Sequence, residues 1–150
     1  MQIGEEIKQG KFEDGLQKAI INLIYTHNWF KESMSGFLKS YDITSQQYNV
    51  LRILNGQFPN GITTGEIRNR MLDKMSDASR LVDRLERIGH VQKNRNSDDR
   101  RLVTCVITEQ GRTLLSDIRS AEKGMYNPIR DRISEEEAEE LSRILDKMRG

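Results

Sequence analysis

Ten side chains between Ser76 and Arg101 have the types and spacing to engage a polyanion. Ser76, Asp77, Ser79, Arg80 and Arg84 share one face of a helical pattern. Lys93, Arg95, Asp99, Arg100 and Arg101 lie in or beside a run, residues 94–101, that holds no apolar residue. A guanidinium can grip a guanine edge through two parallel hydrogen bonds, and Arg80 sits in the first turns, which enter a groove deepest. The hydroxyls of Ser76 and Ser79 can bond a base or a phosphate. Asp77 can accept from a cytosine amine or pair with Arg80 or Arg84. Lys93 and Arg95 suit backbone phosphates. These groups offer what duplex recognition needs: charge against phosphate and polar atoms against base edges. The plain alternative is a charged helix and a hairpin tip that meet only water.

The elements that must hold these groups are legible around them. Met75, Ala78, Leu81, Val82, Leu85 and Ile88 recur at helical spacing, which predicts a helix over 74–88 with that stripe in the core. Gly89 stops it, because a left-handed residue after the last turn costs glycine little. His90–Lys93 and Leu102–Ile107 read as two strands joined by the polar run. A helix followed by a basic-tipped hairpin is the shape of a winged helix. Thr63-Thr64-Gly65-Glu66 is a capping box that opens a short helix through Met71, the supporting member of a helix-turn-helix. Thr44–Gln47 is another, followed by Tyr48, Val50, Leu51 and Leu54 on one face and ended by Gly56.

Long helices flank this lobe. Apolar residues from Phe12 to Leu38 keep a helical period for about 27 residues, or about 40 Å at the usual rise. A chain this small cannot cover all of that stripe, so part of it is expected to pack on another chain or a second long helix. Thr108 caps the next helix, which Pro128 should kink or break near Tyr126-Asn127. Ser134–Glu137 caps the last, whose stripe is Ala138, Leu141, Ile144, Leu145 and Met148. The expected fold class is therefore mainly α with a small β-hairpin wing (α+β).

Charge is placed unevenly. Residues 67–101 hold ten Lys/Arg against six Asp/Glu, although the whole chain is only +1, so the remainder is net acidic. A basic centre on an acidic frame orients a protein on a polyanion. No Gly-rich phosphate loop, H-E-x-x-H or serine elbow occurs, and two His give no convincing metal site, so neither an enzyme, a cofactor nor a metal is expected. No secretory leader or membrane span is evident, and the single Cys105 cannot form an internal disulfide. A cytoplasmic location is the expectation.

Three blocks in order carry a resemblance. Arg80-Leu81-Val82-Asp83-Arg84-Leu85-Glu86-Arg87-Ile88-Gly89, then Asp99-Arg100-Arg101, then Ile107-Thr108-Glu109-Gln110-Gly111 resemble the signature of MarR (multiple antibiotic resistance regulator) transcription factors. His90 and Ile107 stand where that family usually has Leu. The resemblance implies one unit over 1–150, with a DNA-binding lobe at about 44–108 and helical dimerisation regions at about 10–40 and 109–150. It implies a homodimeric, ligand-responsive repressor on a pseudo-palindromic operator. It assigns Arg101 to minor-groove insertion and Asp99 to bracing it. It also implies an effector pocket for a small aromatic or anionic molecule, for which His27, Trp29, Tyr48 and Arg52, with Tyr25 nearby, are candidates. For these residues the alternative is that they fill or cap a dimer core.

Two other readings stay open. A winged helix can serve protein interaction without specific DNA binding. Cys105 could act as a thiol-based redox switch, as a cysteine does in some MarR relatives, although theirs lies in the first long helix, where this chain has none. Its alternation with Val103 and Ile107 suggests packing instead.

Overall fold

The computed structural model describes residues 2–95 and 103–150. A short helix, α1 (Ile3–Glu6), precedes the long α2 (Gly15–Lys39) and then α3 (Ser45–Gln57). Strand β1 (Ile62–Thr63), helices α4 (Thr64–Arg70) and α5 (Ala78–Arg87), and strands β2 (Val91–Arg95) and β3 (Val103–Ile107) follow. Helices α6 (Glu109–Arg130) and α7 (Glu135–Arg149) complete the described chain. The architecture is mainly helical with one small antiparallel sheet, as expected. The sheet has three strands rather than two, in the order β1-β3-β2. Ile62 pairs with Cys105 and Thr63 with Thr104, while β2 pairs with β3 from Val91↔Ile107 to Arg95↔Val103.

Caps set most of the boundaries. Thr44, Thr63 and Ser134 each head a reciprocal capping box, with Gln47, Glu66 and Glu137 returning the bond. Thr108 accepts from the Gly111 N–H and starts α6. Gly89 sits at φ +81° and ends the α5 segment. Gly111 allows α6 to lie against the start of β2: a Cβ there would stand 2.4 Å from the His90 carbonyl oxygen.

One core joins the sheet, the helix-turn-helix and α6. Leu38, Val50, Leu51, Leu54, Ile67, Val82, Leu85 and Ile118 are buried in it. By contrast, Leu16, Ile20, Leu23 and Ile24 of α2 and Leu141, Ile144 and Met148 of α7 are exposed, and α7 buries none of its residues. No helix among the described residues is long and apolar enough to cross a membrane.

Three expectations are corrected. The helix foreseen over 74–88 begins at Ala78, because the Asp77 carboxylate accepts from the Arg80 N–H at 3.1 Å and caps it. Met75 is thereby outside the helix and 93% exposed, and Ile88 is also exposed, so neither belongs to the core stripe. Helix α6 is not broken near Tyr126: it runs through Pro128 and ends two residues later at Arg130, where little helix remains to disrupt.

Candidate nucleic-acid interface

Helix α5 presents its apolar side, Ala78, Val82 and Leu85, to the core and its charged side to solvent. Ser79, Arg80, Asp83, Arg84 and Arg87 are all exposed. Arg80, Arg84 and Arg87 follow one another at i, i+4 and i+7, so they form a single ridge. Two shallow hollows flank the start of this helix. One, of about 410 Å³, is lined by residues that include Arg68, Lys74, Met75, Ser76 and Ser79. The other, of about 540 Å³, lies among Gln46, Asp77, Arg80, Arg84 and Arg87.

The polar residues here are not all free to act alike. The Ser76 hydroxyl donates to Asp73 Oδ2 at 2.8 Å, and the Met75 N–H donates to Asp73 Oδ1 at 3.0 Å. These donors hold the Asp73 carboxyl below its ordinary pKa. Asp77 both caps α5 and meets Arg80 Nε at 3.3 Å, so its charge is turned toward its own helix. Arg80, Arg84 and Ser79 extend into solvent beside it.

Lys93, foreseen as a phosphate contact, faces two carboxylates of α5. Its ammonium bonds Asp83, and it lies 3.1 Å from Glu86 Oε2. These two carboxylates raise its pKa above the ordinary lysine value. Lys93 therefore ties β2 to α5 and neutralises acidic groups at the edge of the basic ridge. Arg95, at the end of β2, is exposed. Asp99, Arg100 and Arg101 lie outside the described residues.

The effector candidates separate into two groups. Tyr48 and Arg52 come together on α3, with the guanidinium carbon 5.7 Å from the ring centroid. His27 and Trp29 lie on the exposed side of α2, as does Tyr25, whose hydroxyl donates to Glu6 at 3.0 Å. The sequence reading missed a carboxylate that organises the Tyr48 side. Glu122 of α6 accepts from the Tyr48 and Tyr126 hydroxyls, each at 2.9 Å. Tyr126 stacks on Phe30 of α2, with centroids 5.9 Å apart. Burial, then the bond to Glu122, pushes the Tyr48 hydroxyl up to about pKa 12, and the same causes raise Tyr126. Cys105 is fully buried in β3, and burial raises its thiol pKa, the reverse of what a reactive thiolate needs.

Comparison with known proteins gives this geometry its context. The family model for the transcriptional regulator SarA/Rot matches residues 32–118, more than half of the chain. The transcriptional repressor MprA of Escherichia coli (strain K12) is 23% identical over 134 residues, covering 88% of this chain and 76% of its own. A MarR transcription factor from Planctomyces limnophilus superposes with a TM-score of 0.69 at 28% identity, over 91% of this chain and 98% of that one. The S. aureus MepR–DNA complex gives a TM-score of 0.72 at 23% identity, over 85% and 91% of the two chains. The helix-turn-helix, the three-stranded sheet and the matched region agree, and the chain belongs to the SarA/Rot family of MarR-type winged-helix DNA-binding transcriptional regulators.

Proposed function

We propose that the protein is a homodimeric, ligand-responsive repressor that binds a pseudo-palindromic operator with half-sites about one turn, ~10 bp, apart. The observation that carries this reading is the pairing of two surfaces on one chain. The ridge of Arg80, Arg84 and Arg87 suits a polyanion, while α2 and α7 leave an apolar stripe uncovered. A stripe of that kind marks an interaction surface, and in this reading a second copy covers it. Repression is supported by the name of MprA, a transcriptional repressor, and DNA binding as a mode by the MepR complex.

In this proposal residues at about 44–108 form the DNA-binding lobe, and those at about 10–40 and 109–150 form the dimerisation region. Helix α5 enters the major groove with Ser79, Arg80 and Arg84 as its contacts, Ser76 approaches the DNA from the turn before it, and Asp77 orients Arg80. Arg95 and Arg100 contact phosphates, and Arg101, braced by Asp99, enters the minor groove. Lys93 acts from behind, by holding β2 to α5. The effector, a small aromatic or anionic molecule, is taken up beside Tyr48 and Arg52, while His27 and Trp29, on the exposed side of α2, belong to the dimer face. It acts by favouring a spacing of the two lobes that no longer matches successive grooves.

The test is DNA binding to fragments from the protein's own upstream region at two salt concentrations, with sedimentation to give the oligomeric state. Wild type should bind selectively as a dimer, and Arg84→Ala and Arg101→Ala should each flatten the salt dependence by about one unit of log–log slope. A monomer, or weak binding that is equal on all sequences, would refute the proposal and favour a protein-interaction module.

A further inference from the structure

The two most exposed large apolar side chains among the described residues are Leu72, at 86%, and Met75, at 93%. Both lie in the connection between α4 and α5. That connection is firmly held. Met71 is buried, and the Leu72 N–H donates to Asn49 Oδ1 at 3.0 Å. Asp73 binds the Met75 N–H and the Ser76 hydroxyl, and Lys74 Nζ donates to the Asn69 carbonyl at 2.6 Å. The backbone around Met75 is thus fixed while its side chain stands in water.

Met75 lines the smaller hollow beside the start of α5, together with Arg68, Lys74 and Ser79. Leu72 does not line it. Asp77 also lines the hollow, but its charge is engaged by Arg80 and the start of α5, so an apolar side chain beside Arg68 and Lys74 calls for an occupant that is anionic overall yet presents an apolar group at that depth. Duplex DNA has one such group in its major groove, the C5-methyl of thymine. The thioether is unbranched and polarisable, so it can settle on a methyl without strict geometry.

We infer that Met75 is a specificity-determining residue that packs on a thymine methyl, so that each half-site prefers T·A at one base pair beside the start of α5. The inference rests on α5 being the groove-entering helix. It concerns a residue outside that helix.

The experiment uses duplexes that the full-length wild-type protein selects from a randomised pool. Each thymine of a half-site is then replaced by deoxyuridine, which removes the methyl and leaves every base-edge hydrogen-bonding group in place. Wild type should lose about fourfold in affinity at one thymine, the expected effect of one buried methyl. Met75→Ala should bind thymine and uracil equally there, while Leu72→Ala should keep the wild-type penalty. Both positions are exposed, so loss of folding does not confuse the result. An equal uracil penalty in Met75→Ala and wild type would overturn the inference, as would a selected half-site with no methyl-sensitive thymine. Failure to select any sequence at low salt would overturn the groove-entering reading of α5 as well.

Discussion

The same substitution at two glycines of α6 should have opposite effects. On intrinsic helix propensity alone, Gly→Ala inside a helix stabilises by up to about 1 kcal/mol. Gly124 is surrounded by open space, so Gly124→Ala should realise most of that gain. At Gly111 the new Cβ would lie 2.4 Å from the His90 carbonyl oxygen and 2.9 Å from Ile107 Cγ1. The first is a backbone atom that already accepts the Thr108 N–H at 3.0 Å, so it cannot move without disturbing the β2–α6 junction. Overpacking typically costs about 1–3 kcal/mol. A weakened hydrogen bond adds about 1 kcal/mol. After subtracting the propensity gain, Gly111→Ala should destabilise by about 2 kcal/mol. For a chain of this length that is about 4–8 °C in melting temperature, against a rise of about 2–3 °C for Gly124→Ala. Thermal melts followed by circular dichroism, at one fixed protein concentration, measure both. If Gly111→Ala melted at or above wild type, the close approach of α6 to His90 would be wrong, and propensity would be the better guide.

Three further outcomes are expected. Asp77→Ala should cost about 1 kcal/mol through loss of the α5 cap, whereas Asp77→Asn should keep the cap. Denaturant titration of the two variants separates the cap from the charge. At alkaline pH the raised Tyr48 hydroxyl favours the folded state below its ordinary pKa of 10, and that contribution fades as pH rises from 10 toward about 12. Urea midpoints should therefore fall across this window, less steeply in Tyr48→Phe; an identical slope in the variant would remove Tyr48 as the cause. Cys105 should react with a disulfide reagent only as fast as the protein opens, and peroxide should leave DNA binding of wild type and Cys105→Ser unchanged. Rapid native-state labelling would contradict its burial.

Local signals made most of the scaffold legible. The capping boxes at Thr44, Thr63 and Ser134 and the stop at Gly89 depend on residues three or four apart, and the chain states them directly. The α5 stripe was legible too, but its period extended too far. Met75 matches the repeat, yet Asp73 and Asp77 bind nearby N–H groups and delay the helix until Ala78. Strand β1 was hidden because two residues have no periodicity and its only signal is pairing with Cys105 and Thr104, far along the chain. Glu122 was hidden for a similar reason. A carboxylate in mid-helix reads as surface until Tyr48, 74 residues away, is brought against it. The ion pairs of Lys93 were hidden as well, because no rule of spacing places it between Asp83 and Glu86.

That placement of Lys93 joins the first strand of the hairpin to the proposed reading helix through an ion-pair cluster. In the proposed complex, a hairpin root tied to the helix beside it follows local variation in a duplex less freely than an untied one would. More of the accommodation would then come from the DNA, whose willingness to bend or narrow depends on its sequence. A reader held in this way would discriminate among base pairs that it never touches, and loosening it by Lys93→Met should broaden the range of shapes accepted before it weakens the grip on any one of them.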